Sequence, residues 1–229
     1  VTGCGTPATN ATAGSASSGE PFGGSAACRR LAARSLVWID DPGIGYLRLR
    51  GEPPYDEDYF EKYRGYAFSE MGRRLNDARL ATVARYWEGP LCDVGIGCGQ
   101  FVWSRPLTLG YDVNPAGIAW LRDRGLWCDP YATEVRAATF WDSLEHIPNP
   151  APLLANVRDF AFVSIPIFRD LDHVRTSKHF RPDEHAWYFT EPGFVAFMAE
   201  HGFRLLDASD VETRIGREDI MTFAFERCR

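Results

Sequence analysis

The spacing of apolar and polar positions changes character at Gly89-Pro90. Before that point, Tyr55, Tyr59, Phe60, Tyr63 and Tyr66 form a block dense in aromatics and acids. Met71, Leu75, Ala78, Val83 and Trp87 then recur at roughly helical spacing until Gly89-Pro90 stops the run. After it, short apolar runs alternate with helical stretches. Leu91 to Gly95 reads as a strand entering a Gly-rich turn, and Thr108 to Asp112 as a second strand. A helix follows from Pro115 to about Arg124, with Ile118 and Leu121 facing inward. Leu126 to Asp129 reads as a third strand and Ala137 to Asp142 as a fourth. A helix from Pro150 to Arg158 leads to a fifth strand, Phe160 to Ile165. The charged segment Arg169 to His185 shows no clear period. Thr190 caps a helix running to His201, with Glu191 and Pro192 in its first turn and Gly202 as its stop. Two closing strands, Arg204 to Ala208 and Ile220 to Glu226, complete the pattern. Strand and helix in repetition, then a strand pair, predict an α/β sandwich with a mostly parallel sheet.

The first part of the chain is of another kind. Val1 to Ala27 is nearly all Gly, Ala, Ser, Thr and Pro, too poor in apolar surface to offset its ordering entropy, and is expected to be flexible. An initial Val reads as translation from a non-AUG start. From Cys28 to Pro54 the signal is mixed: Ser35 to Ile39 suits a short strand, and Asp40-Asp41-Pro42-Gly43 a turn. The expected division is therefore a tail (1–27), an extension (28–54) and a main domain (55–229).

Composition narrows the function. With 229 residues and a net charge of −6, the chain suits one substantial domain and is a poor binder of bulk nucleic acid, which needs phosphate neutralisation by Lys and Arg. No run approaches the roughly 18 apolar residues of a membrane span, and the start lacks the basic and apolar regions of a signal peptide. Cys4, Cys28, Cys92, Cys98, Cys128 and Cys228 never form a C-x-x-C pair, so a structural zinc is not expected, and a reducing cytoplasmic setting is.

Asp93-Val94-Gly95-Ile96-Gly97-Cys98-Gly99 lies where a strand gives way to a helix, the place at which α/β folds bind ligands. Glycines there let backbone approach a ligand closely. A dinucleotide fingerprint, G-x-G-x-x-G or its Ala variant, would need a small residue where Gln100 stands, which disfavours an NAD(P)-dependent oxidoreductase. Asp112, ending the second strand, can accept from both hydroxyls of a ribose.

These segments, with Tyr111-Asp112, Cys128-Asp129 and Phe140-Trp141-Asp142-Ser143-Leu144-Glu145-His146-Ile147, resemble successive motifs of the class I S-adenosylmethionine-dependent methyltransferases. The last of them is similar to the fourth motif of the small-molecule branch, which includes ubiquinone-biosynthesis O-methyltransferases. The resemblance spans roughly Tyr55 to Arg227. It implies a Rossmann-like three-layer sandwich with a seven-stranded, mostly parallel sheet and an antiparallel C-terminal strand. It also implies S-adenosylmethionine as cofactor and an oxygen or nitrogen of a small molecule as methyl acceptor. Gly95, Gly97 and Gly99 would wrap the methionine part, with Asp93 near its amino group. Asp112 would take the ribose, Val113 would lie beside the adenine, Asp129 would bond its amino group, and Pro130 or Tyr131 would pack on the ring. Asp142 to Glu145 would line the pocket near the sulfonium. One departure is plain: Pro106 follows Gly99 so closely that the first helix must be unusually short.

His146 is the first candidate base, because an imidazole titrates near neutrality and this one follows the fourth strand. The same position suits a residue that only orients a loop. His173, His179 and His185, with neighbouring acids, suit a charged substrate loop better than any rigid metal template. Arg169, Arg175, Lys178 and Arg181 suit either an anionic substrate group or the adjacent acids. The tyrosines from 55 to 66 suit either a face over a sulfonium or the packing of a helix. Besides an enzyme, a non-catalytic binding module on the same fold remains an open reading.

Overall fold

The computed structural model describes residues 28–30, 36–49 and 55–229. The expected tail, Ser35 and Pro53-Pro54 lie outside the described residues. An antiparallel meander comes first: β1 (Cys28–Arg30), β2 (Leu36–Ile39) and β3 (Ile44–Leu47). The expected Asp40 to Gly43 turn joins β2 to β3, with Gly43 at φ 93°.

Two helices follow, each set by a local cap. In α1 (Glu57–Ala67) the Asp56 carboxylate accepts from Tyr59 N at 2.9 Å. In α2 (Glu70–Ala84) the Ser69 hydroxyl accepts from Gly72 N at 3.0 Å. Both satisfy first-turn amides that have no partner inside the helix.

The main sheet begins with β4 (Leu91–Val94), followed by α3 (Gln100–Ser104), β5 (Thr108–Tyr111) and α4 (Pro115–Asp123). Then come β6 (Val135–Trp141), α5 (Ala151–Ala155), β7 (Val157–Pro166) and α6 (Leu171–Thr176). The chain closes with β8 (Trp187–Phe189), α7 (Glu191–Glu200), β9 (Phe203–Ser209), α8 (Val211–Ile215) and β10 (Ile220–Arg227). The strand order is β5-β4-β6-β7-β10-β9, with β10 antiparallel to both its neighbours.

The sheet has six strands among the described residues, one fewer than expected. The missing one is Leu126 to Asp129, which forms only a parallel bridge between Trp127 and Gly110. Asp129 ends it by turning the chain: its side chain accepts from Tyr131 N at 2.9 Å, and no further ladder can form.

The largest core lies between the sheet and its helices. Phe194, Phe197, Phe223 and Phe225 are each at most 2% exposed, with the Phe194 ring against the other three. Burying a side chain of this kind contributes about 1.5–3 kcal/mol. A second apolar cluster (Leu36, Trp38, Leu47, Phe168, Leu171, Val174 and Tyr188) joins the meander to the rest, because β3 pairs with β8. Within the described residues, no helix is long and apolar enough to cross a membrane.

Candidate active-site cleft

The register puts Asp93 opposite Gly110 on one side and Thr139 on the other, so the C-terminal ends of β4, β5 and β6 open together. Asp93 is 1% exposed and accepts from the Thr139 hydroxyl at 2.6 Å. Burial raises its carboxyl to about 7, although Thr139 and Arg79 pull it down. Beyond it Gly95, Gly97 and Gly99 all have positive φ (81°, 56° and 80°). At Gly95 a Cβ would come within 2.6 Å of the Ser143 Cβ, so only glycine lets the loop lie on the end of β6. At Gly97 a Cβ would rest on the Tyr63 ring at ordinary contact distance, 3.7 Å, so this backbone lies directly beneath α1. The helix after the loop, α3, is short, as the spacing to Pro106 requires. Gln100 turns away from the loop and donates to Ala67 O at 3.1 Å.

Asp112 closes β5. It accepts from Asn114 N at 2.8 Å. Burial pushes its carboxyl up, while the amides of Asn114, Val113, Ile96 and Gly97 hold it down, so this carboxylate faces the Gly-rich loop. Asn114 caps α4 and also donates to Asp56 O at 2.8 Å, which ties the start of α1 over the end of β5. A cleft of about 440 Å³ lies there, lined by Tyr55, Asp56, Glu57, Asn114, Pro115 and Ala116. Val113 is 60% exposed. Asp129 has one oxygen in its own turn, Pro130 is buried, and the Tyr131 ring lies 5.6 Å from that of Tyr111.

Asp142 ends β6 at φ 56°, and its side chain is engaged. Arg217 reaches both its oxygens (2.7 and 2.9 Å) and Arg79 one of them (2.8 Å). Both guanidiniums also hold the fully buried Glu212. Burial alone would raise the Asp142 carboxyl, but Arg217 and Arg79 outweigh it and hold it at about 2. Sequence reasoning missed Arg79, Arg217 and Glu212, which look like ordinary surface residues in a linear reading. Next in the chain, the Ser143 hydroxyl donates to Val94 O at 2.5 Å.

Leu144–His146 makes one turn of 3-10 helix that brings Glu145 and His146 to the same end of the sheet. His146 Nδ1 shares a hydrogen bond of 3.2 Å with the Tyr55 hydroxyl, and its ring lies edge-on to His185 at 4.5 Å. Its Nε2 is 4.0 Å from Glu145 Oε1. Burial lowers the pKa of His146, brings that of His185 to about 2 and raises that of Glu145. The rings of Tyr55, just before α1, and of Tyr59 and Tyr63 within it contact one another in turn, edge-on and then tilted (5.1 and 4.9 Å), a wall from His146 to Gly97.

The three histidines of the charged segment do not converge. His173 pairs with Asp219 at 3.3 Å, His179 contacts Glu218 O at 2.9 Å, and His185 alone faces His146. Arg175, Lys178 and Arg181 pair with Asp172, Glu218 and Glu184. Arg169 instead lines an open hollow with His173, Thr190 and Asp219.

This architecture is the fold of several S-adenosylmethionine-dependent methyltransferases of known structure. The chain is similar in structure to magnesium protoporphyrin IX methyltransferase from Synechocystis PCC 6803 with bound SAH (TM-score 0.55, 13% identity, 76% of this chain and 96% of that one). It is similar also to a SAM-dependent methyltransferase, possible histamine N-methyltransferase, from Thermotoga maritima (0.54, 12%, 75% and 97%). A third similar structure is 1,6-didemethyltoxoflavin-N1-methyltransferase from Burkholderia thailandensis, with 1,6-didemethyltoxoflavin and S-adenosylhomocysteine bound (0.50, 14%, 89% and 100%). No protein-family model matches the chain, and no curated protein matches it in sequence.

Proposed function

We propose that the protein is an S-adenosylmethionine-dependent methyltransferase acting on an oxygen or nitrogen of a small-molecule acceptor. The observation that carries the reading is the Asp112 carboxylate, held at the end of β5 against the amides of an open Gly-rich loop. A vicinal diol suits that carboxylate, and Gly97 keeps its positive φ without a side chain between the loop and the Tyr63 ring. S-adenosylmethionine, when bound, supplies a methyl group on a sulfonium, which leaves the protein to align the acceptor and manage its proton.

In this reading Gly95, Gly97 and Gly99 follow the methionine part, and buried Asp93 answers its amino group. Val113 and Pro130 flank the adenine, and the free oxygen of Asp129 accepts from its amino group. Asp142 contributes through its backbone, since its carboxylate is taken by two arginines. The tyrosines of α1 cover the cleft and offer aromatic faces to a sulfonium. His146 presents an imidazole at the acceptor end. The chemistry belongs to residues 55–229, and β3 of the extension pairs with β8, just beyond the segment bearing His185. A reducing, cytoplasmic setting is part of the same reading, supported by Cys92, Cys98, Cys128 and Cys228 all being free thiols.

Asp112→Ala tests the assignment. Removing a charged acceptor of this kind costs about 1.5–3 kcal/mol per hydrogen bond, so affinity for S-adenosylhomocysteine should fall at least about tenfold with the melting temperature retained. Unchanged affinity would overturn it.

A further inference from the structure

We propose that Glu145, His146 and His185 bind a divalent transition-metal ion of the zinc class at the acceptor end of the cleft. Each of the three residues has a ligand atom within 4.8 Å of those of the other two. Tetrahedral ligands about 2.0–2.1 Å from zinc stand about 3.4 Å apart, so the three groups converge on one point after side-chain adjustments of about 1 Å. Two imidazole nitrogens and one carboxylate oxygen are a common donor set for a zinc ion that keeps a further position open.

The second observation is independent of proximity. Glu145 and His185 are 2% and 4% exposed, and Glu145 Oε2 and His185 Nδ1 have no hydrogen-bond partner among the described residues. Unpaired buried polar atoms cost free energy that a protein seldom leaves uncompensated, and a cation bound by these two residues would compensate it. The surroundings of His146 agree. When Nδ1 carries the proton and donates to the Tyr55 hydroxyl, that outer hydrogen bond leaves Nε2, 4.0 Å from Glu145 Oε1, as the atom available to a metal. His173 and His179 take no part, since each is already paired elsewhere. This departs from the expectation, drawn from spacing alone, that no metal is bound.

The role of the ion rests on the methyl-transfer reading. Held beside the cleft, it would take an acceptor hydroxyl at its open position and lower that group's pKa. The hydroxyl proton would leave to water, so that the acceptor is presented as an oxyanion. His146 is then a ligand and not the base.

The test uses the full chain, stripped with a chelator and titrated with zinc sulfate by calorimetry. One zinc per chain is expected, and His185→Ala and Glu145→Gln should each weaken it by at least about 100-fold, since even outer partners of metal ligands are worth 10–100-fold. Imidazole NMR of the unaltered protein removes any dependence on how the variants fold: zinc should shift the ring nitrogens of His146 and His185 and leave those of His173, His179 and His201 in place. Absence of stoichiometric binding, retention of full affinity in folded variants, or shifts at other histidines would overturn the site. The metal-free protein is also titrated with S-adenosylhomocysteine: failure there counts against the methyltransferase reading, and failure with zinc against the metal.

Discussion

Asp93 has no solvent, and its hydrogen-bond partner is Thr139, with Arg79 and Asp112 as the charges that act on it. Burial outweighs the stabilising groups and brings its carboxyl to about 7. A carboxyl with a higher pKa folded than unfolded contributes most when protonated, so its contribution is full below about pH 4 and is lost as pH rises to about 7. The methyltransferase reading places an ammonium group of the cofactor against this residue, which favours the ionised form. Binding of S-adenosylhomocysteine should therefore release a proton near pH 6–7, and its affinity should fall by up to about tenfold per pH unit below that range. Calorimetry in two buffers of different ionisation enthalpy measures the released proton directly. Asp93→Asn should remove the pH dependence and raise stability near neutral pH, and a proton count unchanged in that variant would place the titrating group elsewhere. Ser143 and Gly95 act at the same scale: their contact sets how near the loop can lie to β6.

Between elements, the decisive contact is the group of two arginines and two carboxylates, half-buried around the fully buried Glu212, that links α2, the end of β6, α8 and the turn before β10. Asp142 holds a left-handed backbone conformation there, and Arg79 and Arg217 fix its side chain. Breaking such a group by removing one charge leaves the others unbalanced in a low-dielectric site and costs about 3–5 kcal/mol. Glu212→Gln should lower unfolding stability by that amount in urea titration, and a loss below about 1 kcal/mol would show that the arginines relax to solvent. The Asp142 carboxyl is depressed to about 2, so its contribution is present above about pH 4 and is lost as pH falls toward 2. The α1 helix works differently. Its position depends on Asn114 reaching Asp56 and on Tyr55 reaching His146, which makes one helix a wall for both ends of the cleft.

Over the whole molecule, what could be read from sequence was what local chemistry encodes. Thr190, Pro192 and Gly202 mark the ends of α7 because capping and helix termination are decided within a few residues, and the structure has that helix at Glu191–Glu200. The strands on either side of the Gly-rich loop follow from short apolar runs. The meander's partner was not legible: β8 has three residues, and its register with β3 pairs Phe189 with Ile44, far away in the chain. Within Arg169 to His185, α6 has six residues, too few to show a helical period against so many charges. For the same reason three equivalent-looking histidines could not be sorted, and only the fold separates His185 from His173 and His179. The third parallel strand was overread, because an apolar run does not reveal that the turn at Asp129 cuts its ladder to one bridge. The resulting molecule is a mostly parallel sheet whose open end gathers Asp93, Asp112 and the Gly-rich loop on one side and Glu145, His146 and His185 on the other. Binding of S-adenosylmethionine at this end is tested most directly by calorimetric titration of the purified protein with S-adenosylhomocysteine, with NAD and NADP as controls. Micromolar binding of S-adenosylhomocysteine alone is the predicted result; binding of a dinucleotide alone, or of none of the three, would contradict it.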